Sequence, residues 1–373
     1  MNIIKTQNNI TILIILGGLK REGITNSVLS YLETMDKTGL NIALGVAGKY
    51  VDEQMSRARA INIPIFILPE RNNRPFQYFC TLIKLVRKEN FKIVHVHGNS
   101  ATLAIDMLAA MLGGASVRIA HSRNTSCTHR LADKVFRPLF NFSYTDGFSC
   151  GIDAGKWLFG NRKFTVIPNG KKISKYLFNQ EYRNNIRGEF GFKDETIVLG
   201  HVGVFNKQKN HSFLIDIFSD LLNKSENYVL CLFGIDGGEL KNIQEKIELL
   251  GIKDKVYFMG YKADIYKYMS AMDVMVFPSL YEGLPNVVIE WQMCGLPCVI
   301  SNTITKECCV MPNVYRLPID KGTFEWVQSI FNLKLYDRNC NKEIVKEMMA
   351  NAGYDIDLNA ELLKQKYLEL GAK

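Results

Sequence analysis

The chain has 373 residues, of which 47% are hydrophobic and 22% charged, and its mean hydropathy is −0.04. This composition is typical of a soluble globular protein, and the length predicts two domains rather than one. Nine cysteines without a CxxC pair indicate neither a disulfide framework nor a zinc site, and the longest apolar run near the N-terminus is far shorter than a membrane span. We therefore expect a cytoplasmic protein.

Charge is distributed unevenly along the chain. Residues 1–187 contain 26 Lys and Arg against 12 Asp and Glu, whereas residues 188–373 contain 20 against 25. Chance surface composition is one explanation, and docking of the basic half to an anionic membrane surface is another. Binding of nucleic acid is not expected, because no nucleic-acid motif and no aromatic stacking platform accompanies the basic residues.

Short apolar runs alternate with amphipathic stretches in both halves, which is the pattern of parallel α/β sheets. In the first half the predicted strands are 10–16, 41–47, 65–68, 93–97, 117–121 and 147–150, and the predicted helices include 26–36, 74–90 and 99–112. In the second half the predicted strands are 196–205, 227–234, 255–260, 273–279 and 297–301, each followed by a helical stretch.

The fold class is therefore α/β, with two doubly wound parallel-sheet domains at 1–187 and 188–354. The polar composition of 175–195 places the boundary there. An amphipathic helix predicted within 355–373 fits against either domain, and we expect it to pack back on the N-terminal one.

Ligands of such sheets bind beyond the carboxyl ends of the strands, so the residues that follow each strand are the site candidates. The loop GGLKREGITNS at 17–27 has glycines that let the backbone approach a ligand, and the helix after it favours an anion. A plain tight turn is the alternative. The glycine spacing of this loop is not GxGxxG, which argues against a nicotinamide cofactor.

Two histidines fall at the ends of neighbouring predicted strands, His97 in HVHGNS and His121 in AHSRNTS. Small polar residues follow each of them, which makes a functional pair and two structural histidines equal alternatives. A metal site needs a third ligand, and the sequence pattern supplies none. We therefore expect no metal.

In the second half, HVGVFNKQKN at 201–210 follows a predicted strand and leads into a helix. Lys207 and Lys209 lie just before that helix, where lysines neutralise a diphosphate. A solvated loop is the alternative interpretation.

The segment YEGLPNVVIEWQMCGLP at 281–297 contains two carboxylates around a predicted helix start. Pro285 suits the first helical position, which puts Glu282 in the preceding loop and Glu290 about one and a half turns inside the helix. The helix start attracts phosphate, and carboxylates accept hydrogen bonds from sugar hydroxyls. The pattern fits a nucleotide-sugar site, and ordinary acids on a solvated helix are an equal alternative.

In this order, the four segments resemble the retaining glycosyltransferases of family 4, which have the GT-B fold of two Rossmann-like domains facing a central cleft. Glu282 to Glu290 matches the E-x7-E signature of that family, IPNG at 167–170 matches its inter-domain segment, and VGVFNKQKNH at 202–211 is similar to its phosphate-binding stretch. The segments HGNSATLA, RIAHSRNTS, AGKWLFG and FPSLYEGLP resemble the EpsF-like branch of exopolysaccharide and capsule enzymes. The resemblance extends from about residue 10 to residue 305.

The resemblance implies a role for each matching residue. Glu282 holds hydroxyls of the donor sugar, Lys209 neutralises the leaving diphosphate, and His121 lies close to the reacting centre. Donor contacts are further implied for Gly23, Val204, Lys207, Gly283, Leu284, Pro285, Asn286 and Glu290, the last of these on the ribose. The acceptor-side candidates are His97, Asn99, Arg123 and Asn124. Members of the family need neither a metal nor another cofactor, because lysine and backbone amides stabilise the leaving group.

Two positions depart from the family pattern. Val204 stands where the phosphate-binding stretch normally carries an arginine, and the loss of one charge-assisted contact costs roughly 1.5–3 kcal/mol. Lys171 and Lys172 follow IPNG, where a hydrophobic residue and an aspartate are usual.

The predicted function is transfer of a hexosyl or N-acetylhexosaminyl residue from a UDP-sugar to a lipid-linked or growing surface polysaccharide, by a peripheral protein at the inner face of the cell membrane. Two alternatives remain open. One is a catalytically weak or inactive subunit that binds sugar nucleotides, and the other is a GT-B nucleotide-sugar epimerase.

Overall fold

The computed structural model describes residues 9–127 and 129–372. The chain divides into two compact units: unit 1 is Met1–Lys171 with Gly353–Lys373, and unit 2 is Lys172–Ala352. The boundary therefore lies earlier than the 187/188 position predicted from sequence. Its physical cause is a buried ion-pair network, because Arg183 and Arg187 reach the 8%-exposed side chain of Asp273 at 2.7 and 3.1 Å and so tie the polar segment to unit 2.

Unit 1 contains a seven-stranded parallel sheet of order β3-β2-β1-β4-β5-β6-β7. Its strands are β1 Ile10–Leu16, β2 Leu40–Val46, β3 Ile65–Ile67, β4 Ile93–Gly98, β5 Val117–Ser122, β6 Asp146–Ser149 and β7 Thr165–Val166. The six predicted strands are present, and the two-residue edge strand β7 is the one that periodicity missed. Its helices are α1 Gly23–Thr34, α2 Asp52–Ala60, α3 Pro75–Glu89, α4 Ala104–Gly113, α5 Arg130–Ser143, α6 Ile152–Phe159 and α15 Ile356–Gly371.

Strand β1 is apolar from Ile12 to Leu16 because helices cover both faces of the sheet. In β1, Ile12, Ile14 and Leu16 belong to the core on one face, whereas Leu13 and Ile15 belong to the core on the other. Each core thereby removes a continuous band of aliphatic side chains from water.

The C-terminal helix α15 belongs to unit 1, where Tyr367 and Leu370 are buried in the core beside β1. The last turn of the helix packs so closely on the Ile10 side chain that a Cβ on Gly371 would lie 2.4 Å from Ile10 Cδ1. Glycine at this position is therefore what allows the last turn of the helix to rest on the first strand.

Unit 2 contains a six-stranded parallel sheet of order β10-β9-β8-β11-β12-β13. Its strands are β8 Ile197–Val202, β9 Tyr228–Phe233, β10 Val256–Gly260, β11 Val274–Phe277, β12 Cys298–Ser301 and β13 Val314–Leu317. The edge strand β13 was not predicted, since three of its four residues are only partly buried and Tyr315 is exposed. Its helices are α7 Ile173–Tyr176, α8 Gln180–Glu189, α9 His211–Leu222, α10 Leu240–Leu249, α11 Ile265–Ala271, α12 Asn286–Met293, α13 Phe324–Phe331 and α14 Lys342–Asn351.

The strand orders place the carboxyl ends of β1, β4 and β5 side by side in unit 1 and those of β8 and β11 side by side in unit 2. These are the edges at which the sequence placed its candidate residues. All nine cysteines are free thiols. Of the helices within 9–127 and 129–372, none has the length and the hydropathy that crossing a bilayer requires.

Candidate active site

Two loops of unit 2 that the sequence singled out separately are bonded to each other. The loop after β8 carries Gln208, whose carbonyl accepts from Leu280 N at 2.8 Å and whose Nε2 donates to Tyr281 O at 2.9 Å. Asn210 Nδ2 donates to Pro278 O at 3.1 Å. The segments 201–210 and 281–290 therefore form one structure at the carboxyl ends of β8 and β11.

At the centre of this structure, Lys209 Nζ lies 2.6 Å from Glu282 Oε1. The two side chains are 16% and 11% exposed, and the ammonium also lies 4.7 Å from the ring centroid of Phe277. A charge-assisted bond at this depth is held firmly, because little water competes for either group. The pair brings together a cation suited to phosphate and a carboxylate suited to hydroxyl groups.

Local backbone geometry holds Lys209 at this place. Asn206 precedes the short 3₁₀ turn Lys207–Lys209, and its side chain accepts from the Lys209 backbone N–H at 3.1 Å. A Cβ on Gly203 would lie 3.0 Å from Lys209 Cγ, so the absence of a side chain at Gly203 makes room for the lysine.

Helix α12 begins at Asn286, so Pro285 is the residue before the helix rather than its first residue as predicted. The backbone of Pro285 is extended, with ψ 102°, which turns the chain into the helix. Gly283 and Leu284 are half-buried in the preceding loop, and Glu290 lies in the second turn of α12 with 7% of its surface exposed. Because neither Glu282 nor Glu290 is solvated, the interpretation of both as ordinary surface acids is wrong.

Val204 and Lys207 lie on the outer side of the same loop. Val204 is 36% exposed and Lys207 is exposed. A Cβ on Gly237 would lie 2.6 Å from Val204 Cγ1, which shows that the valine packs on the loop after β9.

In unit 1, the loop after β1 is anchored to the loop after β2. Leu19 N donates to Lys49 O at 3.0 Å, and Val51 N donates to Leu19 O at 2.9 Å. Gly18, with φ +158°, passes so close that a Cβ would lie 2.5 Å from Lys49 O. Gly23 is exposed and opens helix α1. The glycines thus make a tight, anchored turn and leave the start of α1 accessible.

The ends of β4 and β5 bring three histidines together. His97 pairs in register with His121, and His95 Nε2 lies 3.0 Å from His121 Nδ1 with the two ring planes parallel. All three are buried. Burial, with the positive charge of Arg123 as a further cause for all three, holds their pKa values well below the ordinary histidine range, so the rings are uncharged at neutral pH.

The sequence model of the family "Glycosyl transferases group 1" matches residues 182–312. The candidate glycosyltransferase EpsF of Bacillus subtilis is 30% identical over 370 residues, which cover 95% of this chain and 96% of the relative.

The chain belongs to the group 1 glycosyltransferases.

Two further comparisons agree with this assignment. An Escherichia coli UDP-Gal:alpha-D-GlcNAc-diphosphoundecaprenol alpha-1,3-galactosyltransferase is 24% identical over 389 residues, which cover 95% of each protein. The crystal structure of Anabaena Alr3699/HepE in complex with UDP-glucose superposes with a TM-score of 0.79 at 16% identity, covering 97% of this chain and all of the other. The family and the GT-B fold predicted from sequence are thereby confirmed.

Within this glycosyltransferase, the acceptor-side candidates have different surroundings. The guanidinium of Arg123 turns inward, where Nε donates to His97 Nδ1 at 3.0 Å and Nη1 to Asn169 Oδ1 at 2.7 Å. Asn99 Nδ2 donates to Ser126 O, and Asn124 Oδ1 accepts from the backbone of the next residue. Arg123 is therefore a link between the histidines and the IPNG segment, whereas Asn99 and Asn124 shape the loops around them.

Sequence reasoning missed His95 and concluded that a third metal-ligand candidate was lacking. That conclusion is wrong, because the candidate ligand atoms of His95, His97 and His121 all lie within 4.8 Å of one another. The signal was present in HVH, since residues two apart on a strand point to the same face. Tyr367 was missed for a different reason, because a helix at the far end of the chain carries it into the same core.

Proposed function

We propose that this glycosyltransferase is a retaining enzyme that moves a hexosyl or N-acetylhexosaminyl residue from a UDP-sugar to a lipid-linked saccharide at the cytoplasmic face of the cell membrane. The observation that carries the proposal is the 2.6 Å contact between Lys209 and Glu282 ahead of helix α12. This contact puts a phosphate-binding cation beside a hydroxyl-binding carboxylate, as transfer from a sugar diphosphate requires.

The diphosphate is assigned to the start of α12. Backbone N–H groups at a helix start attract an anion, and Lys209 adds a full positive charge next to them. Together they would stabilise the charge that develops on the leaving UDP. In this proposal the lysine and the amides do the electrostatic work that a bound metal does in other transferases, so no metal or other cofactor takes part.

The sugar and the ribose are assigned to the two acids. Glu282 accepts hydrogen bonds from hydroxyl groups of the donor sugar, and the buried Glu290 accepts from the ribose. Retention follows if the acceptor attacks the face from which UDP leaves, and the leaving phosphate then takes the proton of the acceptor hydroxyl. UDP as the nucleotide is supported by the HepE complex with UDP-glucose, and a lipid-linked acceptor by the Escherichia coli relative that acts on a diphosphoundecaprenol.

Peripheral attachment to an anionic membrane is supported by charge. Unit 1 contains 25 Lys and Arg against 15 Asp and Glu, whereas unit 2 contains 21 against 22. Each basic residue near an anionic surface contributes on the order of 1 kcal/mol. Unit 1 therefore has the charge that such a surface attracts.

Helix α5 offers the surface that would enter the lipid. Its inward face is fixed by Asp133, which accepts from Ala101 N at 2.7 Å, and by the buried Phe140. Its outward face carries an unusual series of apolar side chains, of which Leu131, Val135 and Phe142 are 77%, 67% and 71% exposed. Lys134 is exposed between them. Exposed apolar residues with interspersed lysine are typical of a helix that lies in a membrane interface.

The transferase proposal is tested by incubating purified protein with common UDP-sugars and lipid-linked acceptors and measuring UDP release and product stereochemistry. We expect release that depends on acceptor and is lost in Glu282→Ala, with the fold retained by circular dichroism. Full activity of that variant would contradict the site assignment. Donor binding without turnover would instead favour an inactive binding subunit, and conversion of the UDP-sugar without acceptor would favour an epimerase.

The membrane proposal is tested by sedimentation with anionic and zwitterionic vesicles. We expect binding to anionic vesicles at low salt that weakens as salt screens the exposed charges. Replacing Leu131 and Phe142 by serine should reduce binding, whereas serine at Leu249 and Phe324, which are 88% and 68% exposed in unit 2, should not. Equal binding to both vesicle types, or equal effects of the two double variants, would refute it.

A further inference from the structure

A buried hydrogen-bond chain runs from the C-terminal helix to the end of β5. Tyr367 on α15 places its hydroxyl 2.6 Å from His95 Nδ1, and His95 Nε2 lies 3.0 Å from His121 Nδ1. All three side chains are at most 1% exposed. The hydrogen-bond chain ends at His121 Nε2, a buried atom for which the described residues provide no hydrogen-bond partner.

The direction of this chain follows from donor and acceptor chemistry. Burial raises the pKa of Tyr367, so the phenol keeps its proton. Within the described part of the chain, His95 Nδ1 is the one partner of that hydroxyl, and a buried O–H that donated to nothing would lose a hydrogen bond. Tyr367 therefore donates, and His95 Nδ1 accepts.

An uncharged imidazole carries one ring proton, so accepting at one nitrogen fixes the proton on the other. His95 consequently has its proton on Nε2 and donates it to His121 Nδ1. By the same rule His121 has its proton on Nε2. The last group of the chain is thus an N–H donor that lacks an acceptor.

His97 has the same Nε2–H tautomer for an independent reason. Arg123 Nε lies 3.0 Å from His97 Nδ1, and a guanidinium has only donors to offer. His97 Nδ1 must therefore accept, which leaves the proton on Nε2. Two imidazole N–H donors, and no imidazole base, then stand at the adjoining ends of β4 and β5.

We propose that Tyr367 and His95 are positioning residues that hold His121 in the Nε2–H tautomer, so that unit 1 presents an N–H donor, and not a base, to an oxygen of a saccharide substrate at the carboxyl end of β5. The identity of that ligand rests on the proposed function, whereas the tautomer does not. The acceptor proton must then leave by another group, which agrees with its proposed transfer to the departing phosphate.

A metal ion held by His95, His97 and His121 is the competing explanation of the cluster. It requires lone pairs where this hydrogen-bond chain has protons, and it places a cation beside the guanidinium of Arg123. Elemental analysis of the purified protein therefore belongs to the test. Stoichiometric metal bound through the three imidazoles would overturn the proposal.

The direct experiment is nitrogen-15 NMR of histidine-labelled full-length protein, which has six histidines. We expect Nε2–H tautomers for His95, His97 and His121 at pH 7.5. In Tyr367→Phe, Nδ1–H signal should appear at His95 and His121 and not at His97, which Arg123 controls. Tyr31→Phe is the matched control, because it removes another buried tyrosine hydroxyl of unit 1, bonded to Pro168 O.

Two results would overturn the proposal in this experiment. One is an Nδ1–H tautomer of His121 in the unaltered protein, and the other is a Tyr367→Phe spectrum indistinguishable from it. Neither depends on transferase activity, so a failure of the relay is distinguishable from a failure of the proposed function.

Activity supplies a second readout. Glutamine can place an N–H near the position of histidine Nε2, so His121→Gln should keep at least tenfold more turnover than His121→Ala. Tyr367→Phe should lower kcat about three- to tenfold with little change in KM for the UDP-sugar. Equal loss in His121→Gln and His121→Ala would indicate a base rather than a donor.

Discussion

Glu282→Gln isolates the charge of the Lys209–Glu282 pair, because the exchange keeps the size of the side chain and its oxygen acceptor. The two atoms lie 2.6 Å apart and the side chains are 16% and 11% exposed, so water screens their attraction weakly. A hydrogen bond to a charged group contributes about 1.5–3 kcal/mol. For a unit of this size that corresponds to a thermal midpoint lower by roughly 3–12 °C in the absence of ligand.

The same exchange should have the opposite effect on UDP. In the unaltered protein the diphosphate competes with Glu282 for the Lys209 ammonium, and in Glu282→Gln that competition is weaker. We expect UDP to bind about five- to tenfold more tightly by calorimetry and to restore the midpoint that was lost. Transfer from a UDP-sugar should nevertheless fall, because the carboxylate that accepts from the sugar hydroxyls is gone.

Lys209→Met and the double variant with both Lys209→Met and Glu282→Gln complete a double-mutant cycle for this ion pair. Lys209→Met leaves Glu282 charged, mostly buried and unpaired, which is the costly half of a broken ion pair. The double variant should therefore be more stable than Lys209→Met alone, and neither should bind UDP as tightly as Glu282→Gln. Weaker UDP binding by Glu282→Gln than by the unaltered protein would refute the reasoning. A loss of stability in the double variant equal to the sum of the losses in the two single variants would refute it as well.

Three further predictions concern other parts of the molecule. Val204→Arg should lower the Kd of UDP in calorimetry by about one to two orders of magnitude, because the 36%-exposed side chain can lengthen without disturbing the core. A UDP affinity equal to that of Val204→Ile would contradict this. Gly234→Ala should lower both the thermal midpoint and UDP affinity, because its Cβ would lie 1.9 Å from Gly203 O, whereas Gly188→Ala in helix α8, with no atom within 4 Å, should do neither. The five buried histidines have depressed pKa values in the folded state, about 4 for His211, whereas unfolded histidine titrates near 6.5. The unfolded chain therefore binds more protons below about pH 6.5, and the free energy of unfolding should fall there by up to about 1.4 kcal/mol per pH unit for each histidine. A urea midpoint unchanged between pH 7.5 and 5.0 would contradict that.

The sequence alone determined the fold class, the main strands of both sheets and the segments that make up the candidate site in unit 2. Parallel strands buried on both faces are continuous apolar runs, and the residues that follow them must lie at one edge of the sheet. Glu282 and Lys209 could be nominated on these grounds, whereas the donor contacts of Gly283 to Asn286 were implied by the family resemblance.

Only the tertiary structure decided which of these residues touch. The 2.6 Å pairing of Lys209 with Glu282 joins positions far apart in the chain, and no periodicity predicts it. The boundary between the units depended on the buried Asp273 as a partner for two arginines of a polar segment. The histidine cluster depended on strand register and on a helix from the end of the chain that brings Tyr367 to His95. The local sequence pattern indicates which face of a helix or strand is buried. Long-range packing determines which partner each buried polar group contacts.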